Sequence, residues 1–440
     1  MSFEIDNETY RDLGIFHNDT GDSIYSIYDK TQTAGGAKLL YRMMQEPLSN
    51  KIVLEERVRS IKFCRNKNFN IELNYHQLDS IDYYLSFNKK CLSNNPIDAL
   101  YDHYNYKINP SQDHYQIITG IENLLVLLKS FSILFNKVKE PDLPDRFGKQ
   151  IEHVKEILQD DVLKKLIPSD KPLRCFQINY LDNLFRKQKK DRIKEFLEFV
   201  YEIDVLGSLA ALSDKQGWCY PKFHQDKSQD ISFEKLIHPG ISEPVSNDSY
   251  IDEKTNVIFL TGPNMAGKSS FLKAVGIAVY LSHLGFPVPA EKIRLPVFKG
   301  LITTINLPDN LHEGLSHFYS EVKRIKKTIT KLAEHGEVFV IFDELFRGTN
   351  LKDAFEATLL ITSKLSMIHR SKFMISSHFT EITDELKKLD GIAFQYFECN
   401  FVNEKPVFSY KIKHGISEER LGMYILHTEE IFTTLDQLID

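Results

Sequence analysis

Apolar positions in the first half of the chain recur at helical spacing. Residues 115–138 and 191–212 both place apolar side chains three and four positions apart, which predicts two long amphipathic helices. Prolines and small polar residues interrupt the pattern where helices are expected to end, at residues 94–98, 109–113, 140–148 and 167–172. The first 230 residues are therefore predicted to form an all-α region.

The pattern changes near residue 230, where short apolar runs begin to alternate with helical segments. Residues 256–260, 337–342 and 372–376 are continuous apolar runs of the kind buried on both faces of a parallel sheet. Near the end, "AFQYFECNF" and "PVFSYKI" flank "VNEK" and predict an antiparallel hairpin added to that sheet. We therefore predict two domains, a helical one over residues 1–230 and an α/β one over residues 231–440.

Composition is that of an ordinary globular protein. The chain has 440 residues, 42% of them hydrophobic, which is enough for more than one core. It opens without a segment that resembles a signal peptide, and charged residues interrupt its apolar stretches, so we expect a cytoplasmic protein with no membrane partner. The formal net charge of -6 means that nucleic-acid binding requires a local basic patch.

The cysteines predict neither a zinc site nor a disulfide framework. They lie far apart and form no C-x-x-C pair, whereas both kinds of site depend on characteristic spacings. We interpret them as reduced thiols that mostly fill cores. They are Cys64, Cys91, Cys175, Cys219 and Cys399.

The segment "TGPNMAGKSS", residues 261–270, lies between a predicted strand and a predicted helix. Residues 262–269 fit G-x-x-x-x-G-K-[ST], in which glycines let backbone amides and a helix N-terminus surround phosphates. Lys268 is expected to neutralise the β and γ phosphates, and the Ser269 hydroxyl to ligate Mg²⁺. The predicted nucleotide-binding residues are Gly262, Pro263, Asn264, Met265, Ala266, Gly267, Lys268, Ser269 and Ser270.

Two further segments supply polar groups at strand ends. "VFVIFDE" ends a buried strand in Asp343 and Glu344, so one carboxylate is expected near Mg²⁺ and the next where it orients or deprotonates the attacking water. "SSHFTEI" places His378 just past another strand, at the edge where open α/β sheets bind ligands. His378 either contacts the γ phosphate or the water, or is a surface histidine, and its position alone leaves both open.

A second candidate anion site precedes a predicted helix in "DNLHEGLSHFYSEVKRIKKTI", residues 309–329. The free amides of a helix N-terminus attract anions, yet the chain already has one such site for its own nucleotide. In a two-fold dimer, Ser316 could instead reach the ATP held by the other chain. The alternative is that Ser316 is only a helix cap, and the residues alone leave both open.

Taken in order, "TGPNMAGKSS", "DNLHEGLSHFYSE", "DELFRGTN" and "SSHF" resemble the MutS family of DNA mismatch repair ATPases. The likeness includes Asn264, Met265 and the turn Arg347-Gly348-Thr349. "DVLGSLAALSDKQGWCYPKF", "LIHPGISEPVSND" and "FPVPAEKIRLPVF" resemble segments that flank the family's nucleotide site. The opening "SIYSIYDKTQTAGGAKLLYRMMQEPLSNKIVLEERVRSIKF" is similar to the start of its core domain.

The resemblance implies a helical core and lever region followed by a P-loop ATPase domain of the ABC type. Two chains would clamp DNA, mismatched or branched, under the control of ATP and Mg²⁺, as a homodimer through the ATPase domains. Residues 347–349 would lie at that interface, and Ser316 would act on the other chain's ATP. The residues that take the family's nucleotide roles by position are Asn264, Lys268, Ser269, Ser316, Asp343, Glu344 and His378.

Several features depart from the family's pattern. His317 stands where threonine is usual and Thr304 where arginine is usual, which bears on turnover and on coupling between subunits. We expect no N-terminal mismatch reader, no full clamp and no C-terminal dimerisation element. The triplet Phe196-Leu197-Glu198 matches the letters of the reader's Phe-x-Glu motif, but its place in an amphipathic helix predicts core packing.

A basic run, "FRKQKKDRIK", is the candidate surface for nucleic acid. Contacts there would be to phosphates, with a strong dependence on salt. The alternative is a solvated helical face, the usual role of a charge run. The candidate DNA contacts are Arg186, Lys187, Lys189 and Lys190, with Arg192 and Lys194 in the same cluster.

These observations favour an ATP-dependent DNA-binding protein of the MutS type. A rival of another class is an ATP-driven protein-assembly switch that does not bind DNA. A third hypothesis is a nucleotide-binding protein whose altered signature leaves it with poor turnover.

Overall fold

The computed structural model of the chain describes residues 3–18, 21–66, 75–137, 144–169, 171–224, 228–305, 317–346, 348–402, 405–416 and 431. The chain divides into two compact units. The first comprises Met1–Tyr28, Glu46–Glu55 and Ser213–Asp440, and the second comprises Asp29–Gln45 and Glu56–Leu212.

The helices are α1 (Asn7–Asp12), α2 (Ile24–Tyr28), α3 (Ala34–Gln45), α4 (Lys51–Asn66), α5 (Tyr75–Ser86), α6 (Pro96–Ile108), α7 (Gln112–Lys137), α8 (Asp145–Leu158), α9 (Asp161–Leu166), α10 (Cys175–Asn183), α11 (Lys190–Gln216), α12 (Lys268–Ser282), α13 (His317–His335), α14 (Leu351–Leu365) and α15 (Ile382–Leu386). A π-helical turn, Leu184–Gln188, lies between α10 and α11. The strands are β1 (Lys222–Phe223), β2 (Ile231–Leu236), β3 (Asn247–Ile251), β4 (Val257–Thr261), β5 (Lys292–Leu295), β6 (Gly300–Thr304), β7 (Val338–Asp343), β8 (Lys372–Ser376), β9 (Ile392–Val402) and β10 (Lys405–His414).

The larger sheet has the strand order β10-β9-β4-β8-β7-β6. Its strands from β9 to β6 are parallel, and β10 pairs antiparallel with β9, so the predicted parallel runs and the hairpin are confirmed. Every residue of β4, β7 and β8 is buried, because helices cover both faces of such a sheet. A smaller sheet in the same unit has the order β1-β5-β2-β3.

Helices on the two sides of the larger sheet bury alternate side chains of its strands. On one side, Phe259, Phe342 and Ile375 belong to a core cluster that includes residues of α13, α14 and α15. On the other side, α12 comes so close to β7 that a Cβ added at Gly276 would lie 3.2 Å from Ile341 Cδ1. This close packing fixes α12 on the sheet, and the helix begins at Lys268, shortly after the carboxyl end of β4.

The N-terminal segment belongs to the same unit as the larger sheet. Glu4 forms a parallel bridge with Gly300, and the buried Arg324 of α13 pairs with Asp6 and Glu8. These partners of Arg324 lie 318 and 316 positions away in sequence, a distance at which no local pattern reveals a contact. The division predicted at residue 230 stays a prediction.

Helices are the only regular secondary structure in the described part of the second unit. The predicted long helices are confirmed as α7 and, across both units, α11. An aromatic core joins them, because the ring of Phe131 lies 5.0 Å from that of Phe196 and 6.2 Å from that of Phe199. Phe196 is therefore a core residue, as its helical position predicted.

Among the described helices, α7 alone is long and apolar enough to cross a membrane by length and composition. The apolar stretch is an 18-residue window within Gln112–Leu134. Core helices meet the same criterion, and Leu124, Leu128 and Phe131 of α7 are fully buried within the protein. The absence of a membrane partner stays a prediction.

Candidate functional site

The carboxyl ends of three neighbouring parallel strands meet at one edge of the larger sheet. In the register of β4, β8 and β7, Leu260 pairs with Ser376 and Ser376 with Asp343. The glycine-rich turn, residues 262–267, follows β4, while Glu344 follows β7 and His378 lies two residues beyond β8. Open α/β sheets bind ligands at this edge, so the predicted site residues converge where a ligand is expected.

Both glycines of the glycine-rich turn have backbone angles that favour glycine. Gly262 has φ of 135° and Gly267, which caps α12, has φ of 105°. A Cβ at Gly262 would lie 3.0 Å from the carbonyl oxygen of Phe397, and one at Gly267 would lie 3.3 Å from Tyr410 Cδ1. The turn therefore depends on glycine for its backbone angles and for its close approach to β9 and β10.

The first residues of α12 place a buried cation beside exposed hydroxyls. Lys268 is 5% exposed, and its Nζ donates to the carbonyl oxygens of Gly262 at 2.7 Å and Pro263 at 2.9 Å. Ser269 and Ser270 are exposed on the same turn of helix. Of the other residues in the segment, Ala266 is buried, and Asn264 and Met265 are exposed.

Ser376 holds the acidic pair that follows β7. Its hydroxyl donates to the buried carboxylate of Asp343, and its hydroxyl and carbonyl oxygens accept from the Glu344 amide at 3.1 and 3.2 Å. Glu344 has φ of 57°, a region that non-glycine residues seldom occupy and that recurs at functional sites. This backbone conformation turns the chain away from the line of β7 at Glu344, the residue expected to orient the attacking water.

His378 contacts the carboxylate of Glu344. Its Nε2 contacts Glu344 Oε1, and the two side chains are 37% and 18% exposed. The imidazole can therefore fix the orientation of this carboxylate at the edge of the sheet. Sequence position alone left His378 undecided between this site and the surface.

A cavity of about 460 Å³ opens beside the glycine-rich turn. Lys268, Ser269 and Glu344 line it, together with residues that sequence reasoning did not assign to the site, notably His238, Val245 and Tyr410. His238 and Val245 lie in the segment "LIHPGISEPVSND", whose likeness to a flanking region was the available signal. Nothing in the local sequence marked Tyr410.

Tyr410 reaches the cavity because Asn247 holds an irregular part of β10. The pairing of β10 with β9 shifts between Phe408 and Ile412, and Tyr410 has φ of 53°. Asn247 Nδ2 donates to the Tyr410 carbonyl oxygen at 3.0 Å, and its Oδ1 accepts from the Ile412 amide at 2.8 Å. A residue of β3, 163 positions away, thus fixes the aromatic wall of the cavity.

His238 is neutral at pH 7. Burial, with a smaller effect from Lys273, lowers the pKa of His238 to about 4, because a charged imidazole loses hydration there. Its ring is thus available as an uncharged surface in the cavity.

Three of the residues singled out from the sequence lie wholly or partly outside the described residues. Ser316 and Arg347 lie outside the described residues, as does the side chain of His317. The helix expected after Ser316 is present as α13. Thr304 is buried, and its hydroxyl accepts from Arg324 Nε at 3.3 Å.

The basic run is divided between buried and exposed positions. The guanidinium of Arg186 is buried, with Nε and Nη2 each 2.6 Å from a carboxylate oxygen of Asp182, so it is not accessible to a phosphate. Lys187 and Lys190 are exposed, and the Lys189 ammonium donates to the Glu156 carbonyl oxygen at 3.2 Å. Only part of the predicted cluster therefore presents positive charge to solvent.

The described residues contain no group of three or more His, Cys, Asp or Glu side chains that could hold a metal ion. The oxygen donors at the site are the Asp343 carboxylate and the Ser269 hydroxyl. Mg²⁺ prefers oxygen ligands and takes few of them from protein when substrate phosphates supply the others. This donor set therefore suits Mg²⁺ bound together with a nucleotide.

Family comparison finds two domains of one family along the chain. MutS domain III matches residues 8–210, and MutS domain V matches residues 258–434. The first match covers most of the helical unit, and the second contains the glycine-rich turn and the strand ends described above.

Curated relatives agree with this assignment. The DNA mismatch repair protein MutS of Leptospira interrogans is 34% identical over 238 residues, which are 52% of this chain and 28% of the relative. Those of Listeria welshimeri and a Geobacillus species are 30% and 29% identical over 61% and 57% of this chain, and 32% and 29% of their own lengths. The chain thus spans about a third of these relatives, and with two domains of one family matched along its length, it belongs to the MutS family.

Proposed function

We propose that this chain binds ATP at the glycine-rich turn and hydrolyses it to ADP and phosphate. The observation that carries the proposal is the convergence of the turn, the acidic pair and His378 at the ends of three adjacent parallel strands. On this proposal, the α/β part of the chain is a P-loop ATPase domain of the ABC type, and the helical region serves as its core and lever.

The triphosphate would lie at the start of α12. Backbone amides of the turn and the N-terminus of α12 supply partial positive charge. The Lys268 ammonium adds a full charge, already held at the turn by two carbonyl oxygens, so it stabilises phosphate charge without large rearrangement. Ser269 and Asp343 would hold Mg²⁺, which when bound neutralises charge on the phosphates.

Glu344 would orient the attacking water and accept its proton. A general base must lie within hydrogen-bonding reach of the water, and Glu344 lines the same cavity as Lys268. His378, in contact with the Glu344 carboxylate, would hold it in the orientation that hydrolysis requires.

The cavity beside the turn would accept the base of the nucleotide. Tyr410 offers an aromatic face, Val245 an aliphatic surface and His238 a neutral ring. Such a wall stabilises a flat, weakly polar base through stacking and burial.

The site would be completed by a second copy of the chain. Ser316, which precedes α13 in the sequence, would contact the ATP held by the other copy, so that nucleotide joins two ATPase domains in a homodimer. The matched relatives are named DNA mismatch repair proteins. We infer that ATP in this dimer controls a clamp on mismatched or branched DNA, in cytoplasmic repair or recombination.

DNA binding separates this proposal from the assembly switch. We expect the protein to bind duplexes that contain a mismatch or a branch, and ATP to alter this binding. The affinity should fall by at least about tenfold as salt rises from 50 to 200 mM, as phosphate contacts require. A switch that acts only on proteins would bind no DNA even at low salt. The Lys268→Ala variant, unable to hold ATP, should keep the salt dependence and lose the response to ATP.

The shared site is tested by mixing two inactive variants. Lys268→Ala and Ser316→Ala each damage every site of a homodimer, whereas a mixed dimer keeps one site with both residues intact. We expect the equimolar mixture to recover roughly a quarter of the wild-type ATPase rate, since half of randomly formed dimers are mixed and each has one good site. No recovery from two folded variants would place Ser316 and Lys268 in the same copy.

A further inference from the structure

One face of α6 exposes a continuous apolar stripe. Its five large side chains are between 63% and 75% exposed. They recur at spacings of three and four residues, so they share one side of the helix. The stripe, called the α6 stripe below, consists of Ile97, Leu100, Tyr101, Tyr104 and Ile108.

The opposite face anchors α6 to the helical unit. Ala99 is buried, Asp102 accepts from Asn179 Nδ2 of α10 at 3.1 Å, and the Tyr106 ring lies 4.6 Å from that of His114. The α6 stripe is therefore not the core face of the helix. An exposed apolar patch of this kind on a fixed element marks an interaction surface.

Four of the five residues of the α6 stripe are placed symmetrically about one point of the helix, and Leu100, whose mirror position is polar, is the exception. About a midpoint between residues 102 and 103, Ile97 is as far from the centre as Ile108, and Tyr101 is as far as Tyr104. A two-fold axis through this midpoint brings the helices of two copies together antiparallel, with isoleucine against isoleucine and tyrosine against tyrosine. We propose that α6 pairs in this way with α6 of a second copy, without nucleotide.

Polar residues beside the α6 stripe agree with this pairing. Asp98 and Asn105 lie seven positions apart on one flank, so the antiparallel arrangement brings Asp98 of one copy beside Asn105 of the other, an acceptor against a donor. In such a pair, each flank of one helix faces the same flank of the other. Lys107 lies on the opposite flank and near one end of α6, so the two Lys107 side chains lie toward opposite ends of the pair and do not meet. Within α6, the pairing thus brings no like charges together.

The charges of α6 favour a protein surface over nucleic acid. The helix carries Asp98 and Asp102 against Lys107, whereas a phosphate backbone attracts surfaces with an excess of positive charge. Burying the α6 stripe in a pair removes on the order of 1,000 Å² from water over both copies, near the lower limit of specific interfaces. We therefore expect a weak dimer, half formed on the order of 10–100 μM.

Charge substitutions at the two ends of the α6 stripe test both the pairing and its register. Ile97→Lys and Ile108→Glu each place a charge against an isoleucine of the other copy, and each should weaken the nucleotide-free dimer at least about tenfold. The double variant places lysine against glutamate at both ends, and should recover most of the loss. The two positions lie 11 residues apart on one helix, too far to pair within a copy.

Sedimentation equilibrium without nucleotide measures the association. Ile52→Lys is the matched control, because Ile52 is also exposed, on α4, and this variant should associate like the wild type. The proposal is overturned if the wild type stays monomeric at several times about 100 μM. It is also overturned if the double variant associates no more tightly than the single variants. The same holds if the single variants unfold at lower urea concentrations than the wild type, or if they lose DNA binding while their self-association is unchanged. Failure of ATP binding leaves this result unaffected, since no nucleotide is present.

Discussion

At the residue scale, burial decides whether a basic side chain supports the fold or remains available to bind. Arg186 is enclosed by the carboxylate of Asp182 and by the carbonyl oxygens of Phe87 and Lys89, at 3.3 and 3.0 Å. Lys187, the next residue, is exposed. Of these two neighbours in the basic run, only Lys187 therefore presents its charge to solvent.

Substituting each of the two residues by methionine should separate stability from DNA affinity. Arg186→Met leaves the buried Asp182 carboxylate with hydrogen bonds from Tyr84 and Leu92 but no counter-charge, and should lower the free energy of unfolding by about 3–5 kcal/mol. Lys187→Met should change stability by no more than about 0.5 kcal/mol and weaken DNA binding with a smaller salt slope. Urea unfolding and salt-titrated DNA binding measure both. A stable Arg186→Met protein with lost DNA affinity would reverse this assignment.

His283 gives the fold a dependence on pH. It is fully buried and its pKa is lowered to about 4 by burial. Its Nδ1 donates to the Val279 carbonyl oxygen, and its Nε2 accepts from the Phe298 amide at 2.9 Å. Protonation of Nε2 would abolish that second bond, so the folded state requires the neutral ring.

Stability should fall as the pH drops below the pKa of an unfolded histidine. The unfolded chain binds a proton near pH 6.5 while the folded chain resists it until about pH 4, so the stabilisation is complete above pH 6.5 and is lost on acidification. Between pH 7 and pH 5, His283 should account for a loss of about 2 kcal/mol in the free energy of unfolding. Urea unfolding of wild type and His283→Gln at both values should show the variant losing less, and equal losses would exclude this role.

At the element scale, the glycine-rich turn and α12 act as one unit that depends on Gly267. Gly336 provides a comparison, since its φ of 67° is also positive but a Cβ there meets nothing within 4 Å. At both sites, an added side chain strains the backbone because φ is positive. Only at Gly267 would the added Cβ also contact Tyr410.

The two alanine variants should therefore differ in nucleotide binding. Gly267→Ala and Gly336→Ala should each lose about 1–2 kcal/mol of stability. Only Gly267→Ala should weaken ATP binding, by at least about tenfold, because the displaced turn no longer presents its amides correctly. Calorimetric titration with ATP checks this, and equal affinities would show that the turn tolerates the added Cβ.

Secondary structure was largely predictable because its signals are local. The buried runs of β4, β7 and β8 and the periodicity of α7 and α11 each lie within one segment of sequence. The N-terminal residues were not predictable in the same way. The pairing of Arg324 with Asp6 and Glu8 spans more than 300 positions, so only the folded chain brings α1 beside the larger sheet.

At the scale of the whole molecule, the glycine-rich turn and the acidic pair of the candidate site were predictable and the cavity beside them was not. Lys268, Asp343 and Glu344 stand in motifs that follow single strands, so the ends of neighbouring parallel strands suffice to bring them together. Tyr410 reaches the cavity through its bond to Asn247 and the irregular pairing of two distant strands. Those contacts arise from tertiary structure alone.

The central claim is that the glycine-rich turn binds ATP and that Glu344 activates water against it. Glu344→Gln keeps the size and the contact to His378 but removes the base, while Glu291→Gln, on the exposed surface, is the matched control. Single-turnover hydrolysis with a parallel ATP-binding titration is the direct test. For Glu344→Gln, we predict an ATP affinity within about threefold of wild type and hydrolysis at least about 100-fold slower. Glu291→Gln should bind and hydrolyse ATP like the wild type. Equal hydrolysis rates in Glu344→Gln and wild type, or no ATP binding by the wild type, would contradict the account.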